Sequence, residues 1–196
     1  MTKKKLILAS SSPRRRQILE NIGLEFEIIP SDYEEVFENY EFSYEKIEEL
    51  AYNKAKAVLN KTSFPFPLSS SLILSADTVV VLNDRILGKP KNKEDAVDML
   101  NALSGERHSI VTSICVIDSE TLDKKISSTT SYVEFNKLSD NMILDYIEKY
   151  KPFDKAGSYG IQELPDDFVS KIDGSLENII GLCPKAVKNI LFKIGT

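Results

Sequence analysis

Histidine is nearly absent from this 196-residue chain, which has only His108. Serine–histidine–carboxylate hydrolysis would have to run through that one residue, and zinc sites with two or more His ligands are excluded. Cysteine is almost as scarce. Cys115 and Cys183 are too few and too far apart for a disulfide framework, which points to reduced thiols in a soluble, cytoplasmic protein. There is no tryptophan. No apolar run approaches the roughly 20 residues that a membrane span needs. Met1 to Lys5 carries the charge of a signal-peptide start, but Leu6-Ile7-Leu8-Ala9 is too short for the apolar stretch that should follow. Basic residues are in deficit, 25 Lys+Arg against 30 Asp+Glu, so the net charge is −5 and a nucleic-acid surface is not expected. A small phosphorylated ligand held in a local basic pocket stays open. Polar chemistry here must rest on carboxylates, lysines, arginines and hydroxyls.

What is present is the composition of a globular protein, 42% hydrophobic and 28% charged. A chain of this length buries roughly 70% of its unfolded surface, so one domain over residues 1–196 needs no metal or disulfide to hold a core. Leu6–Ala9 reads as a buried strand. Ser12 is a good N-cap, Pro13 suits the first helical position and Gly23 suits the stop of the helix between them. A second strand is expected at Phe26–Ile29. A helix from Ser43 to about Asn60 presents Ile47, Leu50, Ala51, Ala55 and Val58 on one stripe, with Lys54 on the same inward face. Phe64–Pro67 and Ser69–Ser71 make a Pro/Ser-rich connector.

Leu72–Leu82 reads as a central strand that ends in a turn at Asn83-Asp84. Helices are expected at Lys93–Leu103, Ser139–Tyr150 and Pro184–Ile194. Ile110–Ile117 and Lys125–Phe135 form a hairpin, Phe153–Gln162 a glycine-containing loop and Phe168–Ile172 a short strand. Strand–helix order at both ends and a β-rich middle predict an α/β fold with a mixed sheet.

Four places could carry chemistry. Ser10 to Arg16 join hydroxyls and three arginines to a helix N-terminus, where backbone N–H groups and the dipole favour phosphate. Three positive charges in the first helical turn oppose that dipole, so an anion is expected to compensate them. Asp77 stands inside an apolar strand, where an ionised carboxylate costs several kcal/mol unless paired or metal-bound. That cost points to a metal ligand or a base that activates water. Lys89 is fixed between Gly88 and Pro90. Gln162 ends the loop Asp154–Gln162 and offers a donor and an acceptor to a base edge. His108 opens a strand and reads as structural, and Glu34-Glu35 as solvated surface.

Leu8-Ala9-Ser10-Ser11-Ser12-Pro13-Arg14-Arg15, Ser75-Ala76-Asp77-Thr78-Val79-Val80, Gly88-Lys89-Pro90, Leu103-Ser104-Gly105, Asp154–Gln162 and Asp173-Gly174-Ser175 together resemble the Maf family of nucleotide pyrophosphatases. They follow the family order along nearly the whole chain. The resemblance implies a mixed, twisted central sheet flanked by helices, elongated, with a cleft between two lobes, related to the inosine triphosphatases. It implies hydrolysis of nucleoside triphosphates to the monophosphate and pyrophosphate with a divalent metal, magnesium or manganese. The loop ending at Gln162 resembles the branch acting on dTTP, UTP and modified uridine triphosphates; the methylated-GTP branch typically carries Glu there.

By the same resemblance Asp77 matches the proton acceptor, and Arg14, Thr78 and Gln162 match positions tied to substrate choice. Glu35, Lys54 and Lys89 match further active-site positions. Together with the residue chemistry, Asp77 and Glu35 are expected to hold the metal or orient the attacking water. Lys54, Lys89, Arg14 and Arg15 would neutralise the phosphates, with Ser10 and Ser12 adding hydroxyl donors. One motif departs from the family form, since Gly181-Leu182-Cys183-Pro184 inserts a Cys where Leu-Pro is expected. Relatives are often dimers, so a homodimer is compatible with the resemblance. Two other readings are a non-enzymatic regulator of cell division and a nucleotidyltransferase, which would require a second substrate.

Overall fold

The computed structural model describes residues 4–35, 39–61 and 70–194. Seven strands form one mixed sheet: β1 (Lys5–Leu8), β2 (Glu27–Ile28), β3 (Ser71–Leu82), β4 (Arg85–Leu87), β5 (Arg107–Asp118), β6 (Lys124–Phe135) and β7 (Val169–Asp173). Their order is β2-β1-β3-β5-β6-β7, with β4 also on β3. The β2–β1 and β1–β3 pairs are parallel and the rest antiparallel. The helices are α1 (Pro13–Asn21), α2 (Tyr44–Leu59), α3 (Lys93–Leu103), α4 (Asp140–Tyr150), α5 (Leu176–Ile180) and α6 (Pro184–Ile194). Among the described residues no helix is long and apolar enough to cross a membrane.

Ser12 caps its helix as expected, and the helix starts expected at Ser43 and Ser139 are N-caps as well. Ser12, Ser43 and Ser139 each accept a hydrogen bond from the backbone three residues on. Two elements go beyond the sequence reading. Arg85–Leu87, expected only to leave the turn, pairs back on Val80–Leu82 as β4. Asn83 and Asp84 both have positive φ, the geometry of a tight hairpin turn. The five-residue α5, capped by Ser175, is too short to show a helical period. The Pro/Ser-rich connector Phe64–Ser69 lies outside the described residues.

Side chains of β3 alternate between two covered faces. Ile73, Ser75, Asp77, Val79 and Val81 point toward α2; Ile73 packs with Ala51, Ala55 and Val58, and Val79 with Ile47 and Leu50. On the other face Leu74 and Ala76 meet α1 and α6, while Val80 meets α3 and α4. One edge of β3 is paired with β5 along its length. On the opposite edge β1 pairs with Ser71–Leu74 and β4 with Val80–Leu82, and Ala9 N donates to Leu74 O. Residues 75–79 have no partner strand on that edge among the described residues. This gap places Asp77 and Thr78 at the mouth of a crevice, beyond the carboxyl end of β1.

Candidate active site

A cleft of about 760 Å³ opens at this gap. Ser12, Arg14 and Arg15 reach it from the start of α1, Lys54 from α2, Asp77 and Thr78 from β3, and Lys89 from the loop after β4. Glu35 and Gln162 line it from their own loops. Ser10 does not line it. The Ser10 hydroxyl lies behind the wall and accepts from the Ser12 N–H (3.2 Å) and from Arg15 Nη1 (3.3 Å).

Lys54 holds the centre. It occupies the buried stripe of α2 with Ile47, Leu50, Ala51, Ala55 and Val58, and is 9% exposed. A lysine is rarely placed so without a partner, and Lys54 has two. Its Nζ donates to Glu35 Oε1 at 2.5 Å and to Asp77 Oδ1. Asp77 is 2% exposed, and its Oδ2 is buried with no hydrogen-bond partner among the described residues. Burial pushes the Asp77 carboxyl above the usual carboxylate range, and the neighbouring Glu35 charge adds to this against the pull of Lys54. Burial also acts upward on Glu35, but the Lys54 charge and hydrogen bond, with Lys89 and Arg15, outweigh it and hold this carboxyl low. Glu34-Glu35 therefore does not behave as solvated surface throughout, because Glu35 is drawn to a buried ammonium.

Arg15 lines the cleft and is also anchored within the chain. Its Nε donates to Gly181 O (3.0 Å), Nη1 to Ser10 and Nη2 to Thr78 Oγ1 (3.2 Å), so it ties three distant segments together. These acceptors are all neutral. No carboxylate pairs with Arg15 among the described residues, and burial lowers its pKa. Arg16 turns outward to Glu20 at 2.7 Å, leaving Arg14 and Arg15 toward the cleft. The excess charge at the start of α1 is thus partly met within the chain, and the rest faces the cleft. Gly181, with φ +134, supplies the carbonyl that Arg15 and Thr78 share. The extra Cys of that motif is accommodated inward, since Leu182 and Cys183 are both buried against α1 and α6.

The 154–162 loop forms the other wall and is tightly held. Gly157 N donates to Gly88 O at 3.0 Å, coupling this wall to the Lys89 loop. Gly157 has φ +66, and a Cβ there would sit 3.0 Å from Val80 Cγ2. Gly160 N donates to the Tyr146 hydroxyl (3.2 Å), and the Tyr159 hydroxyl meets His108 Nε2 at 2.7 Å. His108 is structural, as expected. It is 2% exposed, stacks edge-on against Phe135, and burial pushes its pKa down to about 4. Lys155 belongs to the Asp154–Gln162 loop, and no role was expected of it individually. It is buried on this wall, paired with Asp154 (2.9 Å) and Glu163 (3.1 Å).

The wall chemistry is mixed rather than basic throughout. Arg14, Arg15, Lys54 and Lys89 converge as expected, but Glu35 and Asp77 face the same space. Among the described residues no three His, Cys, Asp or Glu side chains group as a metal cage. Two carboxylates, one with a bare buried oxygen, suit a magnesium or manganese ion that takes most of its ligands from water and phosphate. This donor set fits a metal-bound polyphosphate.

The family model for Maf-like protein matches residues 5–194. A dTTP/UTP pyrophosphatase of Ruminiclostridium cellulolyticum is 44% identical over 97% of this chain and 96% of its own. Those of Alkaliphilus oremlandii and Thermotoga maritima are 45% and 43% identical, covering 98% and 97% of this chain and 93% and 90% of theirs. Among solved structures, a dITP/XTP pyrophosphatase of Mycobacterium abscessus has a TM-score of 0.48 at 14% identity, covering 96% of this chain and 93% of its own. The match along the whole length of these relatives makes the chain a member of the Maf-like protein family.

Proposed function

We propose that this chain hydrolyses nucleoside triphosphates to the monophosphate and pyrophosphate, with dTTP, UTP and modified uridine triphosphates preferred. The observation that carries the reading is the buried Asp77 carboxylate, with one oxygen on Lys54 and the other bare, in a cleft lined by Arg14 and Lys89. The relatives named above act on dTTP and UTP, which supports the choice of base. A triphosphate brings about four negative charges, so positioning and charge neutralisation do most of the catalytic work.

Lys54, Lys89 and Arg14 bind the phosphate oxygens. Arg15 is already spent on Ser10, Thr78 and Gly181, so it positions the cleft wall and adds its charge from behind. Water attacks the α-phosphorus as Asp77 Oδ2 accepts its proton, and the bond to the bridging oxygen of the β-phosphate breaks. The electron pair leaves with pyrophosphate. Magnesium or manganese held by Asp77 and Glu35 would polarise the phosphate oxygens and stabilise that leaving group. Ser12 adds a hydroxyl at the start of α1, and Thr78 orders the nucleotide from the opposite face of β3. Gln162 pairs with the O4 and N3–H edge of uracil or thymine.

The test is a panel of nucleoside triphosphates with purified protein and magnesium, reading monophosphate and pyrophosphate. Pyrophosphate release from dTTP and UTP with no second substrate is the expected result. Binding without turnover would overturn it in favour of a regulator, and dependence on a second substrate in favour of a nucleotidyltransferase.

A further inference from the structure

The ammonium of Lys54 stands where a divalent ion would be expected to stand. It touches Glu35 Oε1 at 2.5 Å and Asp77 Oδ1 at the same time, so the two carboxylates already share a cation. Its stem is packed in the apolar stripe of α2, which keeps the charge at the mouth of the cleft rather than in solvent. A free divalent ion approaching this pair would meet a fixed positive charge between its two ligands. Like charges at such range repel, most strongly on the buried Asp77 side of the pair.

A polyphosphate changes that balance, because its oxygens offer the ammonium another partner. Asp77 Oδ2 is bare and buried, so one carboxylate oxygen is poised for whatever arrives. We propose that Lys54 is an internal counter-cation: it closes the Asp77–Glu35 pair to free divalent metal and passes to the phosphates when metal and nucleotide enter together. Metal and nucleotide binding are then coupled through one side chain, and by linkage each raises the affinity of the other by the same factor. Empty enzyme is thereby kept from filling with metal alone. This inference rests on the cleft being a triphosphate site, as proposed above.

The test uses Mn²⁺ binding followed by electron paramagnetic resonance, without activity as a readout. Wild type is titrated with Mn²⁺ alone and again with the α,β-methylene analogue of UTP. Lys54→Met, which preserves the apolar stem, and Lys54→Gln are titrated with Mn²⁺ alone, with circular dichroism to confirm folding. Wild type should bind free Mn²⁺ weakly. Either variant should bind it about ten-fold tighter or more, within the usual range of coupling between sites. The gain should vanish in the double variant Lys54→Met/Asp77→Asn. Variants that bind free Mn²⁺ no better than wild type would overturn the proposal. So would wild type that binds Mn²⁺ as tightly without the analogue as with it, a result that needs no variant to fold. The arms without nucleotide do not depend on the substrate, so dTTP turnover by wild type tests the functional reading separately.

Discussion

Replacing Asp77 by Asn separates the chemistry of the cleft from the stability of the fold. The side chain is 2% exposed and accepts from Lys54, so removing it looks like breaking a buried ion pair, which ordinarily costs about 3–5 kcal/mol. Here the cost should be smaller for two reasons. Asn keeps the shape and an acceptor oxygen for Lys54, and Lys54 retains Glu35 at 2.5 Å, so no charge is left unpaired. The ionised Asp77 is itself held unfavourably by burial, which the neutral amide relieves. Folding stability should therefore move by less than about 2 kcal/mol, the scale of one buried hydrogen bond. Turnover should behave otherwise. Losing the proton acceptor removes on the order of 10²- to 10⁴-fold in rate, equivalent to roughly 3–5 kcal/mol of activation free energy. The assay is pyrophosphate release from dTTP with magnesium, alongside urea denaturation and nucleotide binding of the same preparation. Turnover within ten-fold of wild type would refute the role of Asp77, and unfolding of the variant would refute the account of Lys54 and Glu35.

Further outcomes follow from the two walls of the cleft. Gln162→Glu should shift the ratio of dTTP to GTP turnover by about ten-fold or more against the pyrimidine, because a carboxylate cannot donate to O4; an unchanged ratio removes Gln162 from base recognition. Gly157→Ala should cost about 1–3 kcal/mol in urea unfolding, since it forces a side chain into a left-handed φ against Val80. It should also raise KM for dTTP by displacing the tie to Gly88, and a variant matching wild type in both measurements contradicts this. For His108 the sign runs toward acid lability. Its folded pKa of about 4 lies below the ordinary 6.5, so the unfolded chain takes up a proton in that window which the folded chain refuses. Stability from this group is present above the window and is lost as pH falls through it, by about 3 kcal/mol. His108→Gln should abolish that share, seen as urea midpoints of wild type and variant converging between neutral pH and about pH 4; a constant gap would rule the assignment out.

Much of the fold was legible from local pattern. Ser12, Ser43 and Ser139 announced helix starts, and the i, i+3, i+4 stripe of α2 placed Lys54 inward. The cost of an apolar environment marked Asp77 without knowledge of its partner. The elements that escaped, β4 and α5, are three and five residues long, too short for a period to accumulate.

The anchors of Arg15 were not legible, because composition cannot say which oxygens a guanidinium will find. Its partners Gly181 and Ser10 lie 166 and five residues away, and both tie it to the wall of the cleft that it lines. Ser10, held by the same guanidinium, does not itself line the cleft.

By itself the sequence determined which side chains are buried at a cost: a lysine on an apolar helix face, a carboxylate in an apolar strand and a single histidine with no catalytic company. Periodicity and burial cost are set by neighbours within a few positions, so they are visible in one dimension. Only the tertiary structure decided that the first two answer each other across 23 residues, and that Glu35 joins them on one ammonium. It also decided where they meet. That place exists because β1 ends beside Leu74 and β4 reaches back only as far as Val80, which leaves β3 open at Asp77. Strand pairing of this kind is settled by packing among distant segments.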